Sequence, residues 1–368
     1  MTRSRPTLIA AILGGLMLSA TCIPVYAGVC DDPQTLFPPP IPLGVSGGSL
    51  KDYTKHYCCS GTLGCLVEDQ ATGTQYILSN NHVLARVNKG KVKKNPDPII
   101  QPGLIDSDPA CSFGANIVVA TLTAFIPLQF GTKVNTVDAA LAQVVPGEVD
   151  PDGTIDCIGA VSSQLASPTP GLAVQKNGRT SGLTTGTVAA VNVSILVGYP
   201  QKCGSGKVKP ARFSQQIRID GNFAAGGDSG SLIVSRETCP RPVGLLFAGS
   251  DSPPQTFANP MDLVLAAFAP LNLEVVGACA NAAPPEATPQ QEAASRRLAR
   301  LKDLQARHED AVMAVPGVVG MGIGVAPDGS PRLEIYVKKK TPALMERLPR
   351  SLDGEAVQVV ETGEVRAF

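Results

Sequence analysis

The chain has 368 residues, longer than one typical domain, and carries 31 basic against 31 acidic residues with only 17% charged overall. That balance builds no basic surface, so nucleic acid is not an expected partner. The 37 Gly and 32 Pro, turn formers spread between Val-, Ile- and Thr-rich segments, suit a mainly β protein of many strands.

Residues 1–27 read as a signal peptide. Arg3 and Arg5 precede an apolar stretch from Leu8 to Ala20, too short for a membrane span, and Val25-Tyr26-Ala27 meets the small-residue rule for cleavage before Gly28. Export to the periplasm or the medium is expected, with no stable membrane association once the signal is removed. Of ten cysteines, nine follow Cys22: Cys30, Cys58, Cys59, Cys65, Cys111, Cys157, Cys203, Cys239 and Cys279. This usage suits an oxidising compartment, and the odd number leaves at least one cysteine either free or bonded between molecules. Adjacent Cys58 and Cys59 do not readily bond to each other, and Cys203–Cys239 is the expected bridge around the segment that follows. No cofactor is expected, and no metal, because cysteines and histidines at ligand spacing are absent.

Residues 28–54 read as an N-terminal extension. Tyr76 to Ser79 then reads as a strand, followed by one short helical turn that carries His82, one of only three histidines with His56 and His308. Asp138 stands at the mouth of the apolar run Ala139–Ala142, where a buried carboxylate is costly unless paired or hydrogen-bonded. An imidazole is a suitable partner. Asp97, Asp106 and Asp108, in a Pro- and Gly-punctuated stretch, read as solvated turn aspartates. Gly226-Gly227-Asp228-Ser229-Gly230-Ser231 precedes the strand-like Leu232-Ile233-Val234. Gly227 can take a backbone conformation that a side chain hinders. The amides of Gly227 and Ser229 can then face one point, where an oxyanion forms during acyl transfer.

The order His82, Asp138, Ser229, together with Ser60–Val67 before the histidine turn, Gly227-Asp228-Ser229-Gly230, and the Gly/Thr-rich run Lys176–Val188, resembles the chymotrypsin/trypsin-like serine peptidases, in particular bacterial secreted members of the streptogrisin and α-lytic type. The resemblance covers about residues 55–275, within a peptidase domain expected over residues 55–280. It implies two six-stranded antiparallel β-barrels and a polypeptide substrate attacked by Ser229. His82 would act as base and Asp138 as its orienting acid, with Gly227 and Ser229 as the oxyanion hole. It also implies that Asp228 supports the turn through a buried ion pair, with Arg179 or Lys176 as partner. In trypsin-like members an acid lies six positions before the nucleophile; here that position is Phe223. With Phe247, Ala248 and Gly249 forming the other wall, a small or apolar side chain is expected in the pocket. The overall reading is a secreted serine endopeptidase; the alternative is a catalytically silent, protease-like binding protein.

Residues 281–289 read as an Ala/Pro-rich linker. Residues 290–368 then form a small α+β module that contacts the peptidase domain. Thr288-Pro289-Gln290-Gln291 looks like a helix start, and Leu298, Leu301, Leu304 and Val312 recur at helical spacing down to about Ala314. Strands are expected at Val318–Val325, Leu333–Val337 and Val357–Val360. Gly317, Gly320, Gly322 and Gly324 sit in an apolar run without a following GKS/T, which favours a tightly packed strand over a phosphate loop. His308 reads as a surface or half-buried histidine, and the Lys91–Lys94 and Lys338–Lys340 runs as solvated charges.

Overall fold

A computed structural model describes residues 30–114, 116–280 and 289–368. The signal peptide, Thr288 and nearly all of the linker lie outside the described residues.

Two antiparallel barrels carry the fold. In the first, the strands Val45–Ser49, Pro98–Gln101, Ile117–Phe125, Ala140–Val144 and Thr74–Ser79 pair in that order, and the segment from Gly61 to Asp69 closes the ring. Its first part, Gly61–Leu63, pairs with Val45–Gly47, and its second, Cys65–Asp69, pairs with Thr74–Leu78. The bend between them falls at Gly64, where a Cβ would collide with the Gly230 carbonyl oxygen. Glycine there lets the serine turn approach the barrel wall. Residues 45–49, expected in an N-terminal extension, thus belong to the barrel.

In the second barrel, Thr184–Lys202, Ala173–Lys176, Leu232–Ser235, Pro242–Asp251, Pro254–Pro260 and Ser205–Asp220 pair in that order, and Ser205–Asp220 closes back onto Thr184–Lys202. The expected pair of six-stranded antiparallel barrels is therefore present. Alternation explains the closure: along Thr184–Lys202 the residues Val188, Ala190, Val193, Ile195, Val197 and Tyr199 are buried, with half-buried residues between them except at Val191 and Ser194, which are buried too where the register shifts. One apolar cluster, with Leu63, Leu78 and Leu141, fills the first barrel; others, around Phe213, Phe247 and Phe257 and around Phe223 and Ile233, fill the second.

The C-terminal residues extend the second barrel's sheet. A helix, Pro289–Met313, buries Leu301, Leu304 and Val312 against Val318–Val325 and Pro331–Val337. Gly320, Gly322 and Gly324 lie in that first strand, against Ser194, Tyr336 and Glu334, so they serve close packing. The strand pairs antiparallel with Thr184–Lys202 through Ala190↔Gly324 and Ile195↔Gly320, and Glu355–Glu361 adds in parallel beyond Pro331–Val337. A buried ion pair, Arg218 to Glu334 at 2.8 Å, crosses this junction with Arg218 stacked over Tyr336. A short helix, Pro342–Arg347, capped by Thr341, was not expected. His308 lies on the long helix and pairs with Asp353 at 3.1 Å.

Four disulfides staple the loops: Cys30–Cys157, Cys58–Cys111, Cys59–Cys203 and Cys239–Cys279. The expected Cys203–Cys239 bridge is absent. Cys203 lies at the tip of the long hairpin, over the loop that carries Cys59. Cys239 lies in the turn before Pro242–Asp251, where Cys279 donates its amide to Val161 and Ser162 donates to Pro240. The two cysteines thus sit in separate turns, each facing a different partner. Among the described residues Cys65 is the free cysteine; it is buried, and burial pushes its thiol pKa up, which keeps it unreactive.

Candidate active site

The seam between the barrels gathers the three expected residues. His82 sits on the helical turn Asn81–Leu84, directly after the strand Thr74–Ser79. Its Nδ1 lies 2.6 Å from Asp138 Oδ2, and its backbone amide donates to Oδ1 at 3.3 Å. Asp138 is fully buried and held on all sides. Its carbonyl accepts from Asn80 Nδ2, its amide donates to Asn259 Oδ1, and Tyr199 donates its hydroxyl to Oδ2 at 2.7 Å. Burial, reinforced by the adjacent carboxylate, raises the Tyr199 phenol well above its usual pKa, so it stays a donor. Burial alone would depress the His82 pKa. The charge and hydrogen bond of Asp138, the Phe368 carbonyl and the charge of Asp52 outweigh it, and the imidazole is held above its ordinary value.

Ser229 occupies a turn whose peptide planes are fixed one by one. Gly227 has φ +101° and Gly230 has φ +95°, both in the region that glycine favours. The Gly226 carbonyl accepts from Thr180 Oγ1 at 2.7 Å, which turns the following Gly227 amide to the opposite side. The Asp228 carbonyl accepts from Ser231 Oγ at 2.7 Å, which fixes the plane carrying the Ser229 amide. Neither amide has an acceptor among the described residues. Asp228 is fully buried and takes hydrogen bonds from the Thr180, Ser181 and Ala225 amides. Its ion partner is Lys176, at 3.3 Å and equally buried, whereas Arg179 forms a two-pronged pair with Asp106 at 2.6 Å. Burial lowers the Lys176 pKa, partly offset by Asp228.

Asp106 and Asp97 therefore correct the solvated-turn reading: Asp106 also accepts from Ser46, and Asp97, buried, pairs with Arg86 at 2.5 Å. Asp108 is exposed, as expected.

One link expected of a working triad is not made directly. Ser229 Oγ donates to the Phe247 carbonyl at 3.2 Å, and His82 Nε2 lies 3.0 Å from the carbonyl oxygen of Phe368. Phe368 in turn donates its amide to that same Phe247 carbonyl at 3.3 Å, so His82 and Ser229 face one another across this residue. Among the expected pocket residues, Phe223 is buried in the apolar cluster that Phe368 packs on. Gly249 lies directly under the Phe368 ring, where any Cβ would collide with it. Phe247 corrects the expectation of a lining side chain: its ring lies 4.8 Å from that of Phe213 in the core, and it offers the cleft its carbonyl. Ala248 is buried beside it and pairs with Ala367. A cavity of about 680 Å³ opens beside His82, lined by Gly227, Phe368, Asp52, Arg86, Arg179 and Lys202.

Sequence reasoning missed Tyr199, Asn259 and Phe368. Only Tyr199 carried a usable signal, a lone aromatic hydroxyl at the end of a strongly apolar strand.

No family model matches the chain, and neither does any curated protein. Solved structures do. A serine protease described as glutamic acid specific, using a histidine triad in substrate binding, is 19% identical with a TM-score of 0.43, over 64% of this chain and 100% of that one. Protease A of Thermobifida fusca is 17% identical at 0.39, over 65% and 99%, and a Nocardiopsis protease 18% identical at 0.38, over 62% and 97%. Similarity at this level decides nothing about activity, and the fold stands on the closure of the two barrels described above. With His82, Asp138 and Ser229 at their seam, the chain has the chymotrypsin-like double-barrel fold and resembles bacterial serine proteases of that fold, extended by a C-terminal α+β module.

Proposed function

We propose that the chain is an exported serine endopeptidase that cleaves peptide bonds through an acyl-enzyme on Ser229. The observation that carries this reading is the pairing of His82 with the fully buried Asp138 on one barrel, at the seam where the other barrel presents a glycine-flanked serine. In a cycle, a substrate carbonyl enters between Ser229 and the two unpaired amides of Gly227 and Ser229. Ser229 turns from Phe247 toward His82 Nε2 and attacks the carbonyl carbon as its proton passes to the imidazole. Asp138 keeps Nδ1 protonated and stabilises the imidazolium, with Tyr199 holding the carboxylate in place. His82 then protonates the leaving amine, and a water deprotonated by His82 releases the acyl group. Each oxyanion donor contributes about 10²–10³ in rate. The four disulfides support an oxidising, extracytoplasmic setting.

The second reading, a silent protease-like binder, is favoured by Ser229 Oγ pointing at Phe247 instead of His82. Hydrolysis of a fluorogenic peptide library separates the two: the proposal expects turnover that disappears in Ser229→Ala and in His82→Ala. Folded protein that cleaves no peptide or ester, in the full chain and in a variant ending at Val365 alike, would favour the binding reading.

A further inference from the structure

The sequence's last residues run through the cleft as a substrate strand would. Beyond the strand Glu355–Glu361 the chain turns at Gly363, and the Val365 carbonyl accepts from the Gly198 amide at 2.9 Å. Arg366 and Ala367 then pair antiparallel with Gly249 and Ala248, and Arg366 pairs on its other side with Gly198, so the segment lies between Pro242–Asp251 and Thr184–Lys202. The next residue, Phe368, donates its amide to Phe247 and sets its carbonyl oxygen against His82 Nε2. Its ring packs over Gly249 and onto the apolar cluster that holds Phe223. Each contact is one that an extended peptide makes when it adds to a sheet edge: main-chain bonds give register, and one side chain drops into a pocket.

Resting on the reading of Ser229, His82 and Asp138 as a peptidase site, we propose that Arg366-Ala367-Phe368 is an intramolecular occupant of the substrate groove. It fills the pocket with an aromatic side chain and holds the site closed. The same geometry names the substrate class: polypeptides with an aromatic residue on the acyl side of the cleaved bond and a small residue before it. Phe223 in place of an acid makes the pocket floor apolar, and Gly249 leaves room for a flat ring. The expectation of a small or apolar residue is thereby narrowed to an aromatic one. While Phe368 lies there, His82 Nε2 is engaged and a substrate strand cannot pair with Ala248 and Gly249. Tethering presents the tail at an effective concentration in the mM range, so a tripeptide binding at about 0.1 mM leaves the groove open roughly one-tenth of the time.

The test uses the full chain, a variant ending at Val365, and Phe368→Ala, each with and without Ser229→Ala, with folding checked by thermal unfolding. The probe is the fluorescein-labelled peptide Val-Arg-Ala-Phe, followed by polarisation; reaction of Ser229 with a fluorophosphonate is followed in parallel. We expect the probe to bind both tail variants at least tenfold more tightly than the full chain, Ser229→Ala background included, and a peptide ending in Lys to bind them at least tenfold more weakly. Fluorophosphonate labelling should rise about tenfold when the tail is removed. Equal probe binding by all forms, or binding by none, overturns the proposal. Probe binding restricted to the tail variants, with labelling absent everywhere, keeps tail occupancy and removes the peptidase reading on which the closure rests.

Discussion

Replacing Lys176 by Met tests how the serine turn is held. Lys176 and Asp228 are both fully buried, and the ammonium lies 3.3 Å from the carboxylate, so the substitution strands a negative charge in the interior while nearly conserving volume. Breaking a buried pair from one side costs about 3–5 kcal/mol. Asp228 keeps the Thr180, Ser181 and Ala225 amides and the Ser181 hydroxyl, which places the expected loss at the lower end, about 3 kcal/mol. Urea unfolding in a Ser229→Ala background, which removes self-cleavage, measures it. Adding Asp228→Asn removes the unpaired charge and so recovers part of the deficit. A loss under about 1 kcal/mol, or one that Asp228→Asn does not reduce, would show that the pair does not hold the turn.

Two further perturbations probe the histidine. The Asp52 carboxyl is pushed up to about 6, chiefly by burial, and its charge helps to raise the His82 pKa. Because His82 works as a base when neutral, Asp52→Asn should move the acid limb of kcat/KM to lower pH; an unmoved limb refutes the coupling. Tyr199→Phe removes a 2.7 Å hydrogen bond to a charged acceptor, worth about 1.5–3 kcal/mol of stability. It also leaves the Asp138 charge less dispersed, so His82 holds its proton more tightly and the acid limb moves to higher pH. Unchanged stability together with an unchanged profile would make Tyr199 a bystander.

The parts legible in the sequence are those encoded within a few residues. A strand ending in a polar helical turn announced His82, glycines on both sides announced Ser229, and an aspartate at the edge of an apolar run announced Asp138. The module's helix and three longer strands were legible from periodicity. Contacts made by tertiary convergence were not. Tyr199 reaches Asp138 across a separation of 61 residues. Lys176 and Arg179, three positions apart, were equivalent partners for Asp228 until the turn sent one inward and the other to Asp106. Cys203 and Cys239 flank the serine segment in sequence, yet the hairpin carries Cys203 to Cys59. Phe368 gave no local sign, because its role comes only from where the module delivers it.

The central claim, that His82 activates Ser229 for attack on a carbonyl, is tested most directly by intact-mass and peptide-mapping analysis after fluorophosphonate treatment of the variant ending at Val365. The account predicts a single adduct on the peptide containing Ser229, formed faster as pH rises through the raised His82 pKa and absent in His82→Ala. A folded protein that takes no adduct at Ser229, or takes it at the same rate without His82, would contradict it.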